Sequence, residues 1–216
     1  MNESARKDYL SLPLNDFLRD LANVSPTPGG GSTAALTGAL GASLGHMVAG
    51  FALKRAEKQG TDTQPILHIM ERLDRAAKLL GGLIAEDIAA YDLYRQTSKL
   101  DPNAPGTVEQ KKLATMAALA IPSQILGVSA ACLRDMVDLT PLSSKYLWTD
   151  LAAAAQMSAA AAEAAAWTVF ANLNSPDLTA EERQQMSEEV QHQRESATRA
   201  CEQVTDYVQA RVIEGK

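Results

Sequence analysis

The chain has 216 residues, enough for one large domain or two small ones with a substantial buried core. Lys and Arg number 20 against 26 acidic residues, a net charge of -6, so no overall basic field draws in nucleic acid or an acidic membrane surface. Cys132 and Cys201 are too few and too far apart for a disulfide scaffold or a metal knuckle, and a reducing, cytoplasmic setting is expected.

Met1 to Asp8 is polar and charged, without the apolar core of a secretory leader, and none is expected. A short first helix is predicted from about Pro13 to Ala22, because Leu14, Phe17, Leu18 and Leu21 fall on one face at helical spacing. Ser25-Pro26-Thr27-Pro28-Gly29-Gly30-Gly31 then forms a turn. Two prolines fix its backbone, three glycines free it, and Ser32 is placed to cap a second helix starting near Thr33. In that helix Ala34, Gly38, Gly41, Gly45 and Ala49 recur every three or four residues. Each glycine costs about 1 kcal/mol relative to alanine, which implies a close helix crossing in return.

Gly60 ends the second helix, and a long third one runs to about Ser98 with Gly81-Gly82 as a possible kink. After the loop Asp101 to Gly106, Thr107 and Gln110 read as a capping box for a fourth helix, interrupted at Pro122 and finished before Thr140. From about Thr149 to between Asn172 and Pro176 a fifth helix is dense in alanine, suited to the glycine face. A sixth opens on the capping box Thr179 to Glu182 and continues to about Ile213. Nothing alternates as a strand does, so the class is all-α: a single domain over 1–216, a compact bundle of about six helices. The uncharged stretches Thr33 to Leu53 and Leu113 to Leu133 are rich in small residues and are expected to be core helices rather than membrane spans.

Two features carry chemistry. Unpaired N–H groups at a helix start, framed by prolines and glycines, make a cradle for an anion or a carbonyl, so Pro28, Gly29, Gly30, Gly31 and Ser32 are candidate ligand contacts. Glu86 and Asp87 interrupt an apolar stretch of the third helix and cannot share one face; one of them can point inward as a proton carrier. Glu189 and His192 have a spacing seen in di-metal bundles, but the further carboxylates such a site needs cannot be assigned, and no metal is expected.

The run from Ser25 to Val48, with its proline-framed triple glycine, Ala/Gly helix and Met-Val pair, resembles the opening signature of the cyclodeaminase/cyclohydrolase family of folate one-carbon enzymes. Ile84 to Tyr91, Ala120-Ile121-Pro122, Thr149-Asp150 and Asn172-Leu173 resemble later segments of that family, so the likeness spans nearly the whole chain. It implies a tetrahydrofolate derivative as substrate, Asp87 as acid/base, Asp150 as holder of the pterin or its cation, and Tyr91 and Asn172 at the pocket. It also implies that Lys54 or Arg55 meets the glutamate tail, and the Gly/Ala helix faces suggest a homodimer. The chain departs from the family where Gly50 to Lys58 replaces a Lys/Tyr run, where Thr168 replaces an asparagine, and at Tyr146 and Trp148. Methenyltetrahydrofolate cyclohydrolase, formiminotetrahydrofolate cyclodeaminase, and a non-catalytic folate-binding or scaffolding paralogue all remain open on sequence.

Overall fold

The computed structural model describes residues 7–212. Six helices account for most of them: α1 (Leu14–Leu21), α2 (Gly30–Gln59), α3 (Gln64–Thr97), α4 (Thr107–Leu139), α5 (Trp148–Asn172) and α6 (Ala180–Val212). Two short 3-10 turns, Thr140–Leu142 and Lys145–Leu147, join α4 to α5, and no strand occurs among the described residues. The class is all-α, as the residue pattern predicts.

Helices α2, α3, α4 and α5 pack in a closed ring, each against the next, and α6 lies along α4 and α5. Short connections make neighbours antiparallel. The small-residue faces are used inside this ring. A methyl group at Gly38 would sit 3.3 Å from Ala161 Cβ, and one at Gly41 would sit 3.0 Å from the Ala154 carbonyl oxygen. The glycine face of α2 is therefore filled within the same chain, by α5 at Gly41, by side chains of α3, α4 and α5 at Gly38, and by Leu73 and Met136 at Gly45. Helices α2 and α4 are long and apolar enough to cross a membrane by length and composition, and in the fold both are walls of the ring.

Three local expectations need correction. Helix α2 begins at Gly30, with extended Gly29 as its cap residue, so Ser32 lies within the first turn and makes no cap bond. Its hydroxyl has a better partner, described below. The Thr107/Gln110 capping box does not form: Gly106, at φ 78°, precedes the helix and Thr107 is buried in its first turn. The box at Thr179 does form, with the Glu182 N–H donating to Thr179 Oγ1 at 3.1 Å and the Thr179 N–H to Glu182 Oε2 at 2.8 Å.

The third correction is at Pro122, where α4 runs on without a break. Proline removes one N–H and leaves the carbonyl four residues earlier without a partner. That carbonyl belongs to Ala118, and Asn172 Nδ2 of α5 donates to it at 2.7 Å. A side chain from a neighbouring helix thus closes the gap the proline opens. Asn172→Leu should then destabilise the fold by about 1 kcal/mol, the net worth of one part-buried hydrogen bond. Pro122→Ala, which restores the backbone donor, should recover most of that loss in the double variant. Chemical denaturation of the four proteins checks this, and additive losses would show that the two residues are not coupled.

Candidate functional site

Antiparallel packing brings four segments to one end of the ring: the start of α2, the last turns of α3, the middle of α4 and the end of α5. Between them lies a cavity of about 260 Å³ lined by Gly29, Gly30, Gly31, Asp87, Tyr91 and Asn172, together with Pro26, Thr27, Ala90, Tyr94, Ala118 and Thr168. Asp87 is the one carboxylic acid in this lining. Of the adjacent pair, Asp87 turns inward and Glu86 is exposed, as a rotation of about 100° between consecutive helical residues requires.

Asp87 is held by the start of α2. Ser32 Oγ donates to Asp87 Oδ2 at 2.7 Å, and the Ser32 backbone N–H donates to the same carboxylate. The carboxylate thereby takes up one of the N–H groups that the first turn leaves unpaired and sits at the positive end of the helix dipole. Burial still outweighs these bonds: it pushes the Asp87 carboxyl above its ordinary range, while the two bonds from Ser32 pull the other way. Ser32 is fully buried behind the carboxylate. It positions Asp87 and does not itself line the cavity.

The glycines differ in role. A Cβ on Gly31 would fall 2.0 Å from Asp87 Oδ1 and 2.6 Å from its Cγ, whereas a Cβ on Gly30 would meet nothing within 4 Å. The close approach of α2 to the carboxylate therefore rests on Gly31. Pro28 is buried and faces a larger, more open depression of about 580 Å³ on the other side of the turn, lined by Thr33, Thr37, Ala160 and Ala164 among others and holding no ionisable side chain. Of the two, the smaller cavity is the one lined by a carboxyl group.

Three residues implied by the resemblance lie elsewhere. Asp150 is in the first turn of α5, about 33 Å along that helix from Asn172. Lys54 and Arg55 are near the far end of α2, about 36 Å from Gly30. Lys54 lies beside the Phe51 ring and Arg55 donates to the Ser143 carbonyl. Within one chain none of the three reaches Asp87. Tyr94, by contrast, lines the cavity without having been singled out in the sequence; it lies seven residues after Asp87 and three after Tyr91, on one stripe of α3. Glu189 and His192 gather no further ligands: among the described residues no three His, Cys, Asp or Glu side chains form a group able to hold a metal ion.

Comparison with known proteins agrees with this architecture. The sequence model of the formiminotransferase-cyclodeaminase family matches residues 13–192. The methenyltetrahydrofolate cyclohydrolase of Methylorubrum extorquens is 25% identical over 168 residues, 76% of this chain and 80% of that protein. The formimidoyltransferase-cyclodeaminase of Sus scrofa is 28% identical over 178 residues, which are 80% of this chain and 32% of that protein. The chain thus spans about a third of the length of that longer relative. The crystal structure of formiminotetrahydrofolate cyclodeaminase from Thermotoga maritima superposes with a TM-score of 0.81 over 94% of this chain and 99% of that one, at 23% identity, so the fold is shared. With the family match covering most of its residues, the chain belongs to the formiminotransferase-cyclodeaminase family.

Proposed function

We propose that the protein acts on the one-carbon unit bridging the nitrogens of a tetrahydrofolate, first of all as a methenyltetrahydrofolate cyclohydrolase. The observation that carries this reading is a single inward carboxylate, Asp87, with its basicity raised by burial, on a cavity framed by the backbone of Gly29 to Gly31. The methenyl carbon is electron-poor and the ring system is cationic. Ionised Asp87 attracts that cation and takes a proton from the water that adds to the carbon. The same proton passes to the departing ring nitrogen as the carbon–nitrogen bond breaks, leaving the formyl product and releasing one net proton. No metal and no second carboxylate enters these steps.

The cyclodeaminase reaction uses the same groups in another order: a ring nitrogen attacks the formimino carbon, and the proton held by Asp87 leaves with ammonia. Loss of methenyl absorbance, corrected for spontaneous hydrolysis, tests the first reaction; ammonia release from formiminotetrahydrofolate tests the second. Binding of folate with neither turnover would favour a non-catalytic paralogue and overturn the enzymatic reading.

The proposal places the protein in the cytoplasm, where its buried free thiols Cys132 and Cys201 stay reduced, with no part for nucleic acid or a membrane. It also includes a homodimer. The glycine and alanine faces do not supply its interface, since they are consumed within the chain. Support comes instead from Leu40, Met47 and Phe51, exposed by 47%, 39% and 52% along one stripe of α2, a self-complementary face for a two-fold pair. Sedimentation equilibrium at micromolar concentration should give twice the chain mass; a monomer removes the dimer from the proposal.

A further inference from the structure

The cavity at Asp87 is not closed on its outer side. Tyr94, Ala118 and Asn172 also line a second, adjoining cavity of about 160 Å³, completed by Thr115, Ala171, Asn174, Ser175 and Pro176. Its walls differ in chemistry from those of the first. The Thr115 hydroxyl donates to Asp177 Oδ2 at 2.8 Å and the Ser175 hydroxyl to the same oxygen at 3.2 Å. The two hydroxyl oxygens also lie 3.2 Å from each other, and the Asp177 carboxylate they share is itself outside the lining. Outside that lining, the exposed Arg183 donates through Nη2 to the Ser175 carbonyl at 3.3 Å.

A folate has three chemically distinct parts: a flat fused-ring head, an aromatic amide, and a terminal diacid. A 260 Å³ cavity is below the usual range of about 300–1,000 Å³ for a site enclosing a drug-sized molecule. It suits the head alone. The larger depression beyond the glycine turn offers neither an aromatic ring nor a cation in its lining, and Lys54 and Arg55 are at the other end of the bundle.

We propose that the two cavities form one bipartite site, in which the outer compartment binds the aminobenzoyl-glutamate arm. Tyr94 is its aromatic wall and Arg183 supplies the cation for the carboxylates. This rests on the folate reading above and assigns the part of the substrate that reading leaves unplaced. Tyr94 is the aromatic residue shared by both compartments. Its ring stacks the arylamide while Asp87, two helical turns away on the same stripe, faces the reacting carbon.

Calorimetric titration with three probes tests it: p-aminobenzoyl-L-glutamate for the arm, 6-methyltetrahydropterin for the head, and 5-formyltetrahydrofolate for the intact ligand. In the wild type each fragment should displace the intact folate, and the two fragments should bind together. Tyr94→Ala and Arg183→Gln should each weaken the arm fragment and the intact folate about tenfold, and the pterin less than about twofold. Tyr94→Phe, which keeps the ring, should bind within about threefold of wild type and guards against loss of fold as the cause. Unchanged affinity for intact folate in both weakening variants, or equal losses for both fragments, overturns the bipartite site while leaving the folate reading intact. Failure of the wild type to bind intact folate overturns the folate reading itself and the bipartite site with it.

Discussion

Asp87→Asn is expected to lower turnover by about two to four orders of magnitude, the range for removing a general acid/base group, while the fold persists. The variant keeps the shape of the side chain, and its amide oxygen still accepts the Ser32 N–H and hydroxyl that hold the wild-type carboxylate. What it loses is the ability to carry a proton. Glu86→Gln is the matched control, one residue away on the solvent side of α3, and should stay within about twofold of wild type, as surface changes usually do. Equal rates in the two variants and wild type would make the acidic pair a surface feature with a structural member.

The pH dependence gives this test a second arm. Burial raises the Asp87 pKa in the fold above its unfolded value, so the protonated form is the one the folded state favours. Asp87 thus adds to stability at acid pH, and that contribution is lost as pH rises through its folded value. Activity runs the other way, because water activation needs the ionised form. The acid limb of kcat/KM should fall as pH drops through a value above the ordinary carboxylate range, and Asp87→Asn should abolish that limb. An unchanged limb in the variant would assign it to another group.

How much of this could be read from the sequence depends on the range of the interaction concerned. The six helices were legible because the signals are local: the alternation of small residues in α2, the Gly60 terminus with its left-handed φ of 65°, and the reciprocal bonds of the Thr179 box. The break expected at Pro122 does not occur because its remedy, Asn172, comes from another helix fifty residues later. Ser32 departs from its expected cap for the same reason: a hydroxyl in a first turn looks like a cap until a carboxylate from α3 claims it. At the site, the glycine turn, Asp87, Tyr91 and Asn172 come together at one end of the ring. Lys54, Arg55 and Asp150 do not, since a motif's residue types do not say which end of a helix of 25 or 30 residues they occupy. Tyr94 was available from the stripe that Asp87 and Tyr91 begin.

Gly31→Ala is expected to cut kcat/KM about a hundredfold or more, although it adds only a methyl group to a residue with no ionisable function. The added Cβ would lie 2.0 Å from Asp87 Oδ1 and 2.9 Å from Oδ2, well inside van der Waals contact, so either the carboxylate turns away or the start of α2 withdraws. Either response breaks the Ser32 bonds and moves the proton carrier by about an ångström, and displacements of that size cost about a hundredfold when a reacting group must be held in place. Gly30→Ala is the control that separates this from a general need for glycine in the turn. Its Cβ meets no protein atom within 4 Å, so it should leave the fold unchanged and report only crowding of the ligand. The cause can be isolated further in the Asp87→Ala background, where the clash is gone. If Gly31 matters through Asp87, Gly31→Ala should then cost nothing more in stability or in folate affinity. An undiminished penalty there would mean that the glycine serves the backbone of α2 itself, and the link between the turn and the carboxylate would have to be abandoned.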